Sequence, residues 1–411
     1  MSQKIKKSLE TKSYKGTRDF YPRNSIINWS DNIDNQQKQN HFFTKVSDTL
    51  VKNGFVEYSS SVIEEAAGFV AKSGEDLGSN QLYSFMDKGD RKIALRPELT
   101  LSVARMIADK FDNLRFPLRW FSIDNCFRYE RPQKGRLREF WQVEVNIIGQ
   151  EAGGADLEIM RLVVEIFLNL GAKPHMYKIL YNHRVVLDRW VKNNNWQNYQ
   201  VKLFKILDNW FKTSLEQQTL ELEELLGKEN AQKIIKTVNK EGKAWEEYQN
   251  IAKDFPDLVL IDNILSKVYP DIQLEFTPAI IRGQAYYTGL ILECFDCNKE
   301  NPRSLFGGGR FDDLLDLYGK KAPAVGFAPG EVSMGEFLDF WKLYPEGIDK
   351  NNNTVGIIAK NQRSLEEIFT TIVPELIQDN KTFDIDYDYT RSINKREESL
   401  KKRGVKGVII I

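Results

Sequence analysis

The chain reads as an α+β protein in three parts: a domain built on an antiparallel sheet, a helical insert inside it, and a small α/β domain at the end. Three observations carry this reading. Leu118 to Ile147 alternates as two strands around a turn; about Asn193 to Val268 is rich in Lys, Glu, Gln and Leu at helical spacing; and from Val355 onward strand-like and helix-like runs alternate. The expected boundaries are 1–343 for the first domain, with the insert at about 193–268, and 354–411 for the second, separated by the Pro/Gly/Asn-rich linker Tyr344 to Asn353. At 411 residues each part has enough chain for a core of its own.

Composition narrows the class. Hydrophobic residues make up 41% and charged residues 28%, with a formal net charge of +0, which is ordinary for a soluble globular protein. No apolar stretch approaches the roughly 20 residues that cross a bilayer. MSQKIKKSLETKSYKG lacks the apolar centre of a signal peptide, and three cysteines cannot make a disulfide framework, so a cytoplasmic protein is expected. Cys294 and Cys297 form a lone CxxC with no second pair and no histidine nearby, and read as strand-end residues. His41, His175 and His183 are scattered, so no metal ligand set and no obvious general base is expected.

In chain order, Lys15 to Pro22 (KGTRDFYP) is an ordered entry segment. About His41 to Asn53 is a helix with Phe42, Val46 and Leu50 on one stripe, stopped by Gly54. Phe55 to Glu64 then reads as one strand. Tyr83, Phe85, Ile93 and Leu95 flank the turn DKGD as a hairpin, and Pro97-Glu98 opens the helix TLSVARMIADK. From about Gly153 to Gly171 an amphipathic helix aligns Leu157, Met160, Val163, Val164 and Phe167. His183, in Asn182-His183-Arg184, is expected to be structural.

The centre of the chain is Cys126 to Gly149. Arg128, Arg131, Lys134, Arg136 and Arg138 crowd the turn between the two strands, and such a local surplus in a neutral chain asks for an anion. Arginine on a rigid hairpin can meet phosphate bidentately. A solvated charged loop is the plain alternative. Against it, Phe140 and Trp141 offer π-faces beside the charges, and Gln142 and Asn146, four apart in a strand, share a face.

Further on, Ile280 to Phe295 sets Arg282 and Tyr286-Tyr287 into an apolar run, where a buried arginine is costly unless it meets an anion. Leu305 to Gly319 carries a triple glycine without a GxxxxGK[ST] pattern, so close backbone approach rather than a phosphate-cradling loop is expected. Ala324 to Glu336 reads as a strand running into a helix. After the linker come strand 355–359, helix 364–378, strand 383–387, helix 393–403 and strand 405–411, a parallel α/β arrangement.

FRYERPQKGRLREFWQ resembles motif 2 of the class II aminoacyl-tRNA synthetases in its histidyl form. KGTRDFYP, RPELT and RG-x-x-YYTG are similar to that family's other signatures and stand in the family order. The resemblance implies a class II synthetase-like catalytic domain, an anticodon-binding-like domain shorter at its end than the family's, and histidine-tRNA ligase activity. ATP would be a substrate with Mg2+ on its phosphates, histidine and tRNA(His) the other substrates, and a homodimer the assembly. It further implies that Arg128 and Arg282 are catalytic and hold the α-phosphate. Glu98, Leu99, Thr100, Gln142, Asn146, Tyr286 and Tyr287 would bind histidine, and Arg128, Glu130, Arg136 and Phe140 would bind ATP.

Five residues depart from the family pattern. Ser61 replaces the motif 1 proline, Asn146 an acidic residue, Ala285 the usual aspartate, and Val332-Ser333 the Glu-Arg pair of motif 3, with Arg136 and Arg310 as candidate replacements for the lost cation. These departures keep a second reading open: a silent histidine-sensing paralogue resembling the regulatory subunit of ATP phosphoribosyltransferase.

Overall fold

A computed structural model describes residues 12–21, 34–72, 81–133, 135–281, 287–298, 300–301, 304–345, 354–405 and 407–411. The chain divides into two compact units, Met1–Thr17 with Phe42–Leu343 and Arg18–His41 with Tyr344–Ile411.

Two short strands, β1 (Phe20–Tyr21) and β2 (Asp34–Asn35), pair in parallel. Helix α1 (Gln36–Lys52) follows, burying Phe42, Val46 and Leu50 as the spacing predicts. It ends at Gly54, whose φ of +80° lets the Phe55 amide bond back to the Leu50 carbonyl at 3.0 Å.

The strand expected from Phe55 to Glu64 is broken in two: β3 (Val56–Glu57) and β4 (Ile63–Glu65). The cause is a fully buried side chain from a distant segment. Arg96 donates to Ser60 O at 2.9 Å, Ser60 Oγ at 3.0 Å and Ser61 O at 3.4 Å, taking carbonyls that a continuous strand would have offered to a ladder. Beyond α2 (Ala66–Lys72), β5 (Ser84–Met86) and β6 (Lys92–Leu95) form the expected hairpin, joined by β4 in a small antiparallel sheet. Helix α3 (Thr100–Lys110) begins just after Pro97-Glu98.

The large sheet is built from β7 (Leu118–Phe127), β8 (Glu139–Ile148), β9 (Tyr177–His183), β10 (Gln273–Phe276), β11 (Leu290–Asp296), β12 (Ser304–Arg310) and β13 (Ala324–Phe327), with β3 at its edge. Its order is β10-β9-β11-β12-β13-β8-β7-β3; only the two edge pairings are parallel. The β7–β8 hairpin is in unbroken register from Leu118↔Ile148 to Phe127↔Glu139.

Helix α4 (Gly154–Asn169) sends Phe167 onto one sheet face, stacked 4.0 Å from Tyr177 and near Phe306 and Phe337. Helix α5 (Arg184–Asn193) follows β9, capped by His183, whose Nδ1 accepts from the Val185 amide at 3.2 Å while Nε2 faces Asp257. The imidazole is thus a structural cap. Helices α6 (Gln200–Asp208), α7 (Leu215–Leu226), α8 (Lys228–Val238), α9 (Gly242–Ala252) and α10 (Pro256–Val268) lie between β9 and β10, and α11 (Glu331–Phe340) follows β13.

In the second unit β14 (Thr354–Ile358) lies between β15 (Thr382–Asp386) and β16 (Gly407–Ile410), all parallel. Helices α12 (Ser364–Glu367) and α13 (Val373–Gln378), joined by a wide turn, precede β15, and α14 (Ile393–Lys402) follows it. One core packs Ile357, Ile368 and Leu376; another packs Ile358, Leu400 and Val405.

Candidate functional site

The face of the large sheet opposite Phe167 carries the residues singled out in the hairpin. Strand alternation puts Phe140, Gln142, Glu144 and Asn146 on this face, with Cys126, Asp124, Ser122 and Trp120 across from them in β7. The row continues through Gly326 of β13, paired with Asn146, and Gly309 of β12, paired with Gly326. Both glycines make room. A Cβ on Gly326 would lie 2.4 Å from Asn146 Oδ1, and one on Gly309 would lie 2.7 Å from the Tyr287 ring. The triple glycine therefore seats an aromatic ring.

At the loop end, Arg128 Nε donates to Pro97 O at 2.9 Å, and its guanidinium lies 5.1 Å from the Phe140 ring centroid. Among the described residues its two terminal nitrogens have no hydrogen-bonded partner. Arg136 is half exposed and pairs with Glu130 at 3.2 Å. Arg138 is used structurally, over the Tyr129 ring at 4.4 Å and donating to Glu130 O at 3.1 Å. The turn is held by Gly135 (φ +74°), whose amide donates to Glu336 Oε1 at 3.0 Å.

Deeper on the face, the start of α3 brings up Glu98, Leu99 and Thr100, all buried. The Thr100 hydroxyl donates to Glu144 Oε1 at 2.8 Å and the Asn146 amide donates to the same oxygen at 3.3 Å. Asn146 Oδ1 is buried and meets no donor among the described residues. Gln142 Nε2 donates to Ala328 O at 3.2 Å, tying β8 to the segment before α11. Burial pushes the Glu144 carboxyl up to about 7; the hydrogen bonds from Thr100 and Asn146 oppose this, and the charge of Glu98 adds to it. Burial likewise pushes the Cys126 thiol up to about 12, which leaves it inert. Among the described residues no group of three or more His, Cys, Asp or Glu side chains is placed to hold a metal ion.

Ser333, in the first turn of α11, gives its hydroxyl to Leu305 O at 2.6 Å. Arg310 is 2% exposed and bonds Asp156 bidentately at 2.9 and 2.8 Å, Asp312 at 2.9 Å and Gln150 O at 3.2 Å. It is committed inside the fold and cannot serve as the missing motif 3 cation.

A model of the family described as histidyl-tRNA synthetase matches residues 33–330. A histidine–tRNA ligase of Leptospira biflexa is 35% identical over 82% of this chain and 76% of its own length, and one of Pyrococcus horikoshii is 31% identical over 97% and 90%. The chain belongs to the histidyl-tRNA synthetase family. Solved structures agree in fold. The histidyl-tRNA synthetase of Nostoc sp. PCC 7120 superposes with a TM-score of 0.76 at 20% identity, over 98% of this chain and 92% of that one. A Bacillus halodurans protein, titled an ATP phosphoribosyltransferase regulatory subunit/histidyl-tRNA synthetase, gives 0.76 at 18%, over 98% and 99%.

Within this family frame, Arg128, Phe140, Gln142, Asn146, Glu98, Leu99, Thr100 and Tyr287 gather around one sheet face, while Glu130 and Arg136 pair in the adjoining loop. Arg282, Tyr286, Ala285 and Lys134 lie outside the described residues. Glu144 is the residue that sequence reasoning passed over. Its signal was present, since it stands midway between Gln142 and Asn146 on the same strand face.

Proposed function

We propose that the protein is a histidine–tRNA ligase: histidine and ATP form histidyl-adenylate and pyrophosphate, and the histidyl group then passes to the 3′ end of tRNA(His). The observation that carries this reading is Arg128, anchored through Nε and set against Phe140 with its terminal nitrogens uncommitted among the described residues, on the same sheet face as a buried polar pocket. Arg128, with Arg282, holds the α-phosphate as it is attacked. Phe140 stacks with adenine, and Glu130 and Arg136 serve the nucleotide. Glu98 receives the α-amino group, and Leu99, Thr100, Gln142, Asn146, Tyr286 and Tyr287 form the wall around the imidazole.

The histidine carboxylate is already ionised near neutrality and needs no protein base. Its oxygen bonds to the α-phosphorus as the bond to pyrophosphate breaks, so positioning and charge stabilisation supply the catalysis. Mg2+ arrives on the ATP phosphates as part of that substrate. Arg136 stands in for the motif 3 cation, because Arg310 is committed to Asp156 and Ser333 is neutral.

Residues 1–343 form the catalytic domain, with the insert at about 193–268, and residues 354–411 engage the anticodon arm of the tRNA. The protein works in the cytoplasm; no described helix is long and apolar enough to cross a membrane. Exposed Val56, Val62, Ile63, Phe85 and Met86 supply an apolar surface for a homodimer.

Ser333 also favours a second reading, a histidine sensor without ligase activity. Histidine-dependent exchange of labelled pyrophosphate into ATP separates the two. Exchange with histidine and with no other amino acid supports the ligase. Histidine binding without exchange sinks it in favour of the sensor.

A further inference from the structure

Glu144 is 4% exposed in a pocket it shares with the carboxyl of Glu98 and the neutral side chains of Thr100 and Asn146, and no role in the proposed reaction uses it. Its surroundings are specific. One oxygen accepts from the Thr100 hydroxyl and from the Asn146 amide, and that second bond fixes which way the Asn146 amide points. The carbonyl end of Asn146 is left over Gly326, buried and without a donor among the described residues. A buried acceptor without a donor is costly, on the order of 1–3 kcal/mol, unless a ligand supplies one. Gly326 leads directly to Gly309, which seats the Tyr287 ring, so this acceptor faces the strip of sheet floor beside that ring.

We propose that Glu144 is a positioning residue for substrate selection: it holds the Asn146 amide so that Oδ1 is presented to the one ring N–H of a neutral imidazole side chain. This rests on the reading of the pocket as a histidine site. The chain thereby makes good the acidic residue missing at position 146, with a carboxylate two residues earlier acting through an amide. A carboxylate can only accept, so it selects one of the two amide orientations; a carboxylic acid or a second amide can donate and releases that selection.

Other groups face Glu144 as well: Glu98 and Thr100 from the start of α3, Tyr58 from the segment after β3, Ser122, Asp124 and Cys126 from β7, and Asn146 on its own strand. Arg96 lies behind this set, bonded to Asp124 at 3.0 Å. Tyr58 and Cys126 are both pushed upward by burial, away from neutrality, whereas the Glu144 carboxyl sits at about 7.

The test compares wild type with Glu144→Gln and Glu144→Asp in pyrophosphate exchange. The substrates are histidine and thiazolylalanine, a ring isostere that lacks the N–H, and histidine binding is followed independently by calorimetry. Glu144→Gln is expected to raise the KM for histidine about tenfold at pH 8 with kcat within about threefold, and to leave thiazolylalanine unchanged, the loss corresponding to one hydrogen bond. Glu144→Asp should recover part of it. Because Gln mimics the protonated carboxyl, the ratio of the two KM values should fall toward one as pH drops from 8 to 6, a comparison in which the titration of histidine itself cancels. Equal losses for histidine and thiazolylalanine, or a pH-independent ratio, would mean that Glu144 is only structural and would overturn the proposal. A wild type that neither exchanges nor binds histidine overturns both the pocket reading and this inference. A wild type that does both, with an unaffected Glu144→Gln variant, overturns the inference alone.

Discussion

Arg128 at the end of β7 and Arg310 at the end of β12 are the same residue type on one sheet, yet they do opposite work. Arg310 is buried and directs four hydrogen bonds to Asp156, Asp312 and Gln150 O. Among the described residues Arg128 makes one side-chain bond, to a neutral carbonyl, and its terminal donors lie beside Phe140. A cation neutralised inside the fold stabilises structure, whereas one oriented by a neutral acceptor retains its charge for an incoming anion. The difference explains why counting arginines near a phosphate site misleads, and why the neutral Ser333 at the start of α11 is not made good by the buried guanidinium of Arg310.

The comparison can be broken at either end. The largest effect is expected from Arg310→Ala, which strands the Asp156 carboxylate in the core and should cost about 3–5 kcal/mol in urea unfolding. A loss below about 1 kcal/mol would show that Arg310 is not the structural partner described. Arg128→Ala should do the reverse, lowering histidine-dependent pyrophosphate exchange about 100- to 1000-fold while the urea midpoint stays close to wild type. Loss of stability without loss of exchange would exchange the two roles.

A middle-sized effect concerns Glu144, whose carboxyl is raised in the folded chain. Such a group adds stability that is fully present below its unfolded pKa and is lost as pH rises through the folded value of about 7. Glu144→Gln lacks this dependence, so its unfolding free energy in urea should gain on wild type between about pH 4.5 and 7, by on the order of 3 kcal/mol. A constant gap across that range would remove Glu144 from the set of buried carboxyls. The smallest effect is expected from Arg136→Ala. The Arg136 side chain is half exposed, so stability should move little, while the KM for ATP should rise about tenfold if Arg136 stands in for the motif 3 cation.

Much of the architecture was legible because it rests on local periodicity. The Phe42, Val46 and Leu50 stripe and the Gly54 stop reappear as the buried face and end of α1. The strand limits around the basic turn return in the β7–β8 register, and the alternation after Thr354 returns as three parallel strands. Legibility failed where a distant side chain intervened. Phe55 to Glu64 has strand composition, but Arg96 captures the carbonyls of Ser60 and Ser61 and splits it. At the site, Gln142 and Asn146 were visible as a same-face pair. Glu144 between them gained meaning only when α3 delivered Thr100 to its carboxylate.

What the sequence determined alone is thus most of the elements and their facing residues, because hydrophobic spacing and turn chemistry act over a few residues, and the motif order that carries the resemblance to the family. What only the tertiary structure decided is the fate of each charge: Arg310 spent on Asp156, Arg128 held back, Glu144 poised near neutrality, Asn146 turned by its neighbour. Electrostatic free energy depends on distance through space and on burial, and neither is written in the order of residues along a chain.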